Sequence, residues 1–304
     1  VSYAVITPVR NEADHIQKTI DSMVAQIIAP AAWVIVDDGS TDQTPSIIDA
    51  AAARYPWIRV IHRPDRGFRK SGGGVIEAFN DGLALLLPLC APQAPNHRNT
   101  ETPKNRFDFL IKLDGDLQFG PDYFSRCFDC FVKDPKLGIG GGVVCKDESG
   151  TWVEEAKGDP AFHVRGATKI YRRICWEALG GLIPAPGWDT LDELKANMLG
   201  WRTYTFRDIK LLQLKSTGTA DGTWKNWVKN GRANYITGYH PAFMLAKCVK
   251  RSVQKPYGLA ALGLLSGFIG GYLKHLPQVP DAALISYTRA QQLNRLLGRQ
   301  SLWS

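Results

Sequence analysis

Three times within its first 116 residues the chain writes a short, almost unbroken apolar run and follows it with a cluster of small polar and acidic residues. The runs are Tyr3-Ala4-Val5-Ile6-Thr7, Trp33-Val34-Ile35-Val36 and Phe109-Leu110-Ile111-Lys112-Leu113. A fourth strand-like run covers 58–61 without such a cluster. Between the runs lie stretches of helical period: 14–26 with Ile16, Ile20, Met23 and Val24, 44–55 with Ile47 and Ile48, and the apolar 74–87. Strands that are apolar on successive residues are covered on both faces, and strands alternating with helices run parallel. The pattern predicts an α/β fold with a mostly parallel, Rossmann-like sheet flanked by helices. Ligands of such sheets sit beyond the carboxyl ends of the strands, so the residues after Ile6, Val36 and Leu113 are where chemistry is expected.

The rest of the chain adds organisation. Residues 88–106 hold four prolines among polar residues and read as a surface loop. Helices are expected near 123–132, 168–179 and 191–199, a strand near 139–145, and a helical, basic tail from Trp224 onward. Three parts follow: 1–116 and 117–223 as two halves of one domain, and 224–304 as a helical extension. Residues 257–273 carry no charge. At 17 residues they sit at the short limit for a spanning helix, and a core or surface helix is the expectation.

With 304 residues the chain can bury about three quarters of its unfolded surface, so it needs no disulfide framework. Its six cysteines are scattered, which reads as reduced thiols in a cytoplasmic protein. Cys127 and Cys130 form one CxxC with no second pair to complete a zinc site. The chain opens on a strand pattern with no leader ahead of it, and the missing initiator Met points to a few further residues before Val1. The net charge of +8 suits a polyanionic partner. The basic groups read as diffuse rather than striped, which argues against nucleic acid.

The first polar cluster is Thr7-Pro8-Val9-Arg10-Asn11-Glu12 and the second Asp37-Asp38-Gly39-Ser40-Thr41-Asp42. Turn and cap preferences explain Gly39, Ser40 and Asp42. They do not explain two adjacent carboxylates at the end of an apolar strand, which repel each other unless a ligand uses them. The third cluster is Asp114-Gly115-Asp116. Residues i and i+2 of an extended stretch point the same way, so the two carboxylates converge. A hard divalent cation that also binds phosphate takes one or two carboxylates in this manner.

In this order the clusters resemble the family 2 glycosyltransferases, inverting enzymes of GT-A fold that use nucleotide-sugars. The resemblance covers most of 1–240. It implies that Thr7, Pro8, Arg10, Asn11, Glu12, Asp37 and Asp38 hold the nucleoside. Asp114 then serves both nucleotide and metal, and Asp116 the metal, Mg²⁺ or Mn²⁺. Asp189, eleven residues before Gly200, matches the family's catalytic base, with Trp188 in the place of its usual Glu. Asp192 and Glu193 read as charge at a helix N-terminus. The family's Arg ahead of the third helix is missing here. Gly67 and Lys70, with Arg66, Arg69 or the N–H groups of Gly72-Gly73-Gly74, are expected at the diphosphate instead. His163 to Thr168 and the basic residues Lys169, Arg172 and Arg173 read equally as an acceptor border and as a solvated basic face.

The resemblance therefore implies a UDP-sugar donor, a carbohydrate or glycolipid acceptor, and a place in surface polysaccharide or glycolipid synthesis. Lys247, Lys250 and Arg251 within 247–275 add an expected peripheral contact with the cytoplasmic face of a membrane. Two alternatives stay open. A sugar-phosphate nucleotidyltransferase would share the sheet and the acids, but Thr7-Pro8-Val9-Arg10 lacks its glycine-rich entry loop. A non-catalytic sugar- or lipid-binding protein would be expected to lose Asp114, Asp116 and Asp189.

Overall fold

A computed structural model describes residues 1–67, 73–90, 107–215 and 222–304, with the side chains of 87–90 left out. The chain forms β1 (Tyr3–Val9), α1 (Ile16–Val24), β2 (Ala32–Asp37), α2 (Thr44–Arg54), β3 (Ile58–His62) and α3 (Gly73–Cys90). Next come β4 (Phe109–Leu113), β5 (Leu117–Phe119), α4 (Tyr123–Lys133), β6 (Leu137–Glu148), β7 (Thr151–Glu154), β8 (Thr168–Arg172), α5 (Arg173–Leu179), α6 (Trp188–Met198) and β9 (Arg202–Gln213). Four helices close the chain: α7 (Thr223–Ile236), α8 (Pro241–Ser252), α9 (Leu259–Leu273) and α10 (Ala282–Leu296).

All nine strands join one sheet of order β3-β2-β1-β4-β8-β6-β9-β5, with β7 paired to β6. The first four strands are parallel, as their both-faced apolarity requires. Alternate residues of β1 enter opposite cores. Tyr3 and Val5 meet α1, α2 and α4, whereas Ala4 and Ile6 meet α3. The second half is mixed. β8 runs antiparallel to β4 and β6, while β9 is parallel to β6. The parallel arrangement expected of the sheet thus holds for its N-terminal half.

One element needs correction. Residues 168–172 form strand β8, not the first turns of a helix, and only 173–179 are helical. Lys169 is completely buried there, so the solvated basic face expected from Lys169, Arg172 and Arg173 does not exist. Their spacing resembled a helix face. In fact Arg172 lies along the Phe109 and Phe131 rings and donates to the carbonyls of Leu137 and Phe131.

The apolar 257–273 resolves into a connection and the 15-residue α9. Among the described residues no helix is long and apolar enough to cross a membrane. Gly263, Gly267 and Gly271 serve close packing against α7. A methyl on Gly267 would lie 1.9 Å from the Val228 carbonyl oxygen, and one on Gly231 of α7 2.0 Å from that of Leu264. Only bare backbones can approach so closely. α10 returns toward the sheet, where Leu284 shares a core with Phe162, Leu191 and Leu194 of the α6 region.

Candidate active site

The three polar clusters emerge side by side because β2, β1 and β4 are adjacent and parallel. Their loops are bonded to one another. Asn11, at φ 53°, donates its N–H to Ser40 Oγ at 2.9 Å and accepts from the Thr41 N–H at 2.8 Å. The Glu12 N–H donates to Thr44 Oγ1 at 2.8 Å. Thr19 of α1 pins the third loop, donating to the Gly115 carbonyl and accepting from the Leu117 N–H. Gly115 has no room for a side chain, since a methyl there would lie 2.5 Å from Val9 Cγ1.

The paired acids at the end of β2 prove to have partners inside the protein. Asp37 accepts from the Ser40 N–H and faces His62 Nδ1 at 3.1 Å. That contact raises the His62 pKa. Asp38 accepts from Arg63 Nη1 at 2.6 Å and from Arg66. Arg66 also reaches Glu77 of α3, and Arg63 reaches Asp81. Arg10 donates to the Asp38 carbonyl at 2.7 Å and to Asp65 at 2.6 Å. The repulsion noted in the sequence is therefore relieved by His62, Arg63 and Arg66. The parallel register, Asp37 opposite His62, puts the cations there. Thr7 is wholly buried and its hydroxyl accepts the Trp33 indole N–H at 2.9 Å, so this side chain serves the core. Pro8 lies opposite Val36 in the same ladder. Gly67 takes φ 73° and donates its N–H to Asp65. Lys70 lies outside the described residues, as do Arg69 and Gly72.

A second acidic group lies where β4 and β9 end. Asp116 is 7% exposed and accepts from Gln213 Nε2 at 3.2 Å. Burial first, then the charge of Asp114, pushes its carboxyl up to about 7. Glu12 is raised as well, by burial, with Asp114 contributing and Lys215 opposing at 2.9 Å. Two buried oxygens here, Glu12 Oε2 and Gln213 Oε1, have no hydrogen-bond partner among the described residues. Acceptors without donors beside carboxylates that resist ionisation describe a place short of positive charge. Asp114 and Asp116 are the pair that could hold a divalent cation whose remaining ligands are phosphate oxygens. Among the described residues no group of three His, Cys, Asp or Glu is placed to hold a metal ion by itself.

Lys112, buried on β4, connects this group to the predicted base. Its ammonium bonds the Asp114 carboxylate and donates to the Gly166 carbonyl at 2.6 Å. It also lies 5.4 Å from the centre of the Trp188 ring. A methyl on Gly166 would sit 3.4 Å from Asp189 Oδ2 and 3.0 Å from Trp188 Cζ2. Asp189, half-buried in the first turn of α6, is thus one residue's width from the Asp114 partner.

Behind Asp189 lies a group that sequence reasoning assigned wrongly. Asp192 and Glu193 are buried, not charges on an exposed helix end. Both pair with Lys169, at 2.7 and 2.8 Å. Tyr171 donates to Asp192 Oδ2 at 2.5 Å, and His163 Nδ1 meets Glu193 Oε2 at 2.9 Å. The Lys169 ammonium also donates to the backbone carbonyl of Asp189. Burial pushes Asp192 up to about 7. His163 rises to about 9, because the Glu193 carboxylate outweighs the burial that opposes its charge. The available signal was weak: Asp192 and Glu193 stand together between Leu191 and Leu194, and Lys169 precedes Ile170-Tyr171.

Residues 4–83 match the model of glycosyl transferase family 2. The undecaprenyl-phosphate mannosyltransferase of Micrococcus luteus is 24% identical over 213 residues, 70% of this chain and 71% of that protein. The chondroitin synthase of Pasteurella multocida is 25% identical over 134 residues, 44% of this chain. This chain spans only 11% of that synthase's length. Among solved structures, the mannosyltransferase PcManGT from Pyrobaculum calidifontis in complex with GDP-Man and Mn²⁺ superposes with a TM-score of 0.54 at 19% identity, covering 96% of this chain and 80% of its own. At that identity the likeness shows the fold, which is GT-A.

Proposed function

The chain belongs to the family 2 glycosyltransferases, and from that premise we propose that it transfers a sugar from a nucleoside-diphosphate sugar to an acceptor hydroxyl with inversion. The observation that carries the reading is the meeting of Glu12, Asp114 and Asp116, two of whose neighbouring oxygens lack donors, with Asp189 one residue beyond Lys112. A UDP-sugar is the donor we name, since the family resemblance favours it. The GDP-Man of the Pyrobaculum calidifontis mannosyltransferase makes a guanosine nucleotide the competitor. The acceptor is a carbohydrate or glycolipid of surface polysaccharide or glycolipid synthesis. The lipid phosphate named for the Micrococcus relative supports the lipid-linked form.

Mg²⁺ or Mn²⁺ on Asp114 and Asp116 would supply charge neutralisation for the departing diphosphate. The remaining work falls to the chain's own residues. The bonded loops at 10–12 and 37–42 orient the nucleoside, with Arg10 and the Arg63–Asp38–Arg66 group as their frame. Asp189 takes the proton of the acceptor hydroxyl. The acceptor oxygen forms its bond to the anomeric carbon as the bond from that carbon to the diphosphate breaks, on the opposite face. Lys169 holds the Asp189 backbone from behind, fixing the carboxylate's position in α6.

General-base help is worth about 10²–10⁴-fold. Asp189→Asn is expected to lower transfer by that factor while nucleotide binding, read by thermal shift, stays within twofold. NMR of the product from a UDP- and GDP-sugar panel reads donor and anomeric configuration together. Near-native transfer by Asp189→Asn removes the base assignment, and a retained configuration removes inversion.

A further inference from the structure

The basic groups are spread along the whole sequence, but their excess over acids falls in one stretch. From Gly222 to Pro280 there are eight Lys and Arg and no Asp or Glu. The other residues hold 29 basic against 29 acidic groups, so the entire net charge of +8 belongs to this segment. It folds as α7, α8 and α9, the part of the chain that carries no proposed site residue.

The same segment holds a concentration of exposed large apolar side chains. On α8 they are Leu245 and Val249, with Val253 (74% exposed) four residues on at the cap. This i, i+4, i+8 spacing makes one stripe. Tyr257 follows in the connection. On α9 the glycine face is consumed by α7, and the opposite side presents Leu259, Leu262 (61%), Ile269 and Leu273 (76%), again at helical spacing. Exposed lysines are interleaved with them: Lys250 beside Val249, Lys255 between Val253 and Tyr257, Lys274 beside Leu273. Exposed apolar side chains concentrated in this way on two helices packed against each other mark an interaction site in a folded protein.

We propose that the outer face of α8 and α9, 245–274, is a docking surface for an anionic phospholipid bilayer. It lies flat in the headgroup region and does not span. Apolar side chains insert a few ångströms and lysines meet lipid phosphates, the arrangement by which interfacial helices bind. Charge complementarity selects this occupant. Two copies of the face would oppose like charges without a single acid to relieve them. Nucleic acid would use the lysines and leave the leucines and valines in water. As a statement of where the acceptor is met, the proposal rests on the reading above, a lipid-borne acceptor requiring that the enzyme work at a membrane.

The test is flotation of the full chain with vesicles of phosphatidylcholine alone and with a third phosphatidylglycerol, at low and high salt. Nucleotide binding is read by thermal shift on the same preparation. The chain is expected to float with anionic vesicles at low salt and not with neutral ones. Each surface Lys contributes about fivefold, so Lys250→Gln/Lys255→Gln/Lys274→Gln should lower partitioning on the order of a hundredfold. Leu262→Asn/Leu273→Asn should also lower it, with melting temperature and nucleotide binding unchanged in both variants. No flotation with anionic vesicles, or equal flotation of both variants, overturns the proposal. A concentration-dependent doubling of mass in light scattering that the Asn variant abolishes assigns the face to a second copy, and equally overturns it. Because the nucleotide shift is read separately, failure to float leaves the proposed sugar transfer standing, and loss of the shift leaves the membrane result standing.

Discussion

Replacing Lys169 by Met isolates the buried ion group behind Asp189. The side chain is 0% exposed and holds both Asp192 and Glu193, themselves 4% and 0% exposed. Met fills a similar volume but leaves two adjacent buried carboxylates. Removing one partner of a buried pair costs about 3–5 kcal/mol. For 304 residues at roughly 2.1 cal/mol/K of unfolding entropy each, the melting temperature should fall by about 5–8 °C. The loss should depend on pH with a definite sign. Asp192 already titrates near 7 in the folded protein, above its unfolded value of 3.8. An acid whose folded pKa is raised adds stability as it takes up its proton, so the contribution is complete below about 4 and gone above 7. His163, raised to about 9, remains on Glu193 as a cation below that value. The deficit of the variant should therefore be largest near pH 8 and shrink toward pH 5.5. Thermal and urea melts of both proteins at the two pH values measure it. A variant as stable as the parent at pH 8, or a deficit that grows on acidification, refutes the reasoning.

Other perturbations follow from local geometry. Gly267→Ala places a methyl 1.9 Å from the Val228 carbonyl and should cost about 1–3 kcal/mol by overpacking α7 against α9. Gly270→Ala meets nothing within 4 Å and should instead stabilise the same helix by roughly 0.5–1 kcal/mol, so paired melts should move in opposite directions. Asp38→Asn weakens the acceptor of Arg63 and Arg66 and should cost about 1.5–3 kcal/mol, the scale of hydrogen bonds to charged groups. The exposed Asp81→Asn, tested beside it by thermal melts, should change stability by less than 0.5 kcal/mol.

The N-terminal half was legible because apolar runs without alternation have one meaning, a buried parallel strand. The acidic clusters stand out for the same reason, as polar residues where the pattern demands a strand end. What escaped was the second half. β8 carries Lys169 and Arg172 within five residues, and charge spaced in this way mimics a helix surface. The distinction rests on Asp192 and Glu193, supplied by α6 from twenty residues further along. β9 alternates buried and exposed residues with a break in its register against β6, and the left-handed Gly200 ahead of it marks the end of α6 without marking the start of a strand. At the site, the sequence located the acids but not their partners. Asp37 and Asp38 looked like ligands for a nucleotide, and the structure shows His62, Arg63 and Arg66 already bonded to them. For α9, the absence of charge could not separate a core from a surface helix, and the structure gives it one face of glycines packed on α7 and an opposite face that is exposed.

In the proposed function, the acids at the ends of β1 and β4, with a divalent cation, make the seat of a nucleoside diphosphate. Calorimetric titration of UDP and GDP into the protein, with Mn²⁺ and with EDTA, into the parent and into Asp116→Asn, tests it directly. One diphosphate should bind in Mn²⁺, EDTA should weaken it at least tenfold, and Asp116→Asn should abolish the metal-dependent part alone. Binding of neither nucleotide, or binding indifferent to both the metal and the substitution, contradicts it.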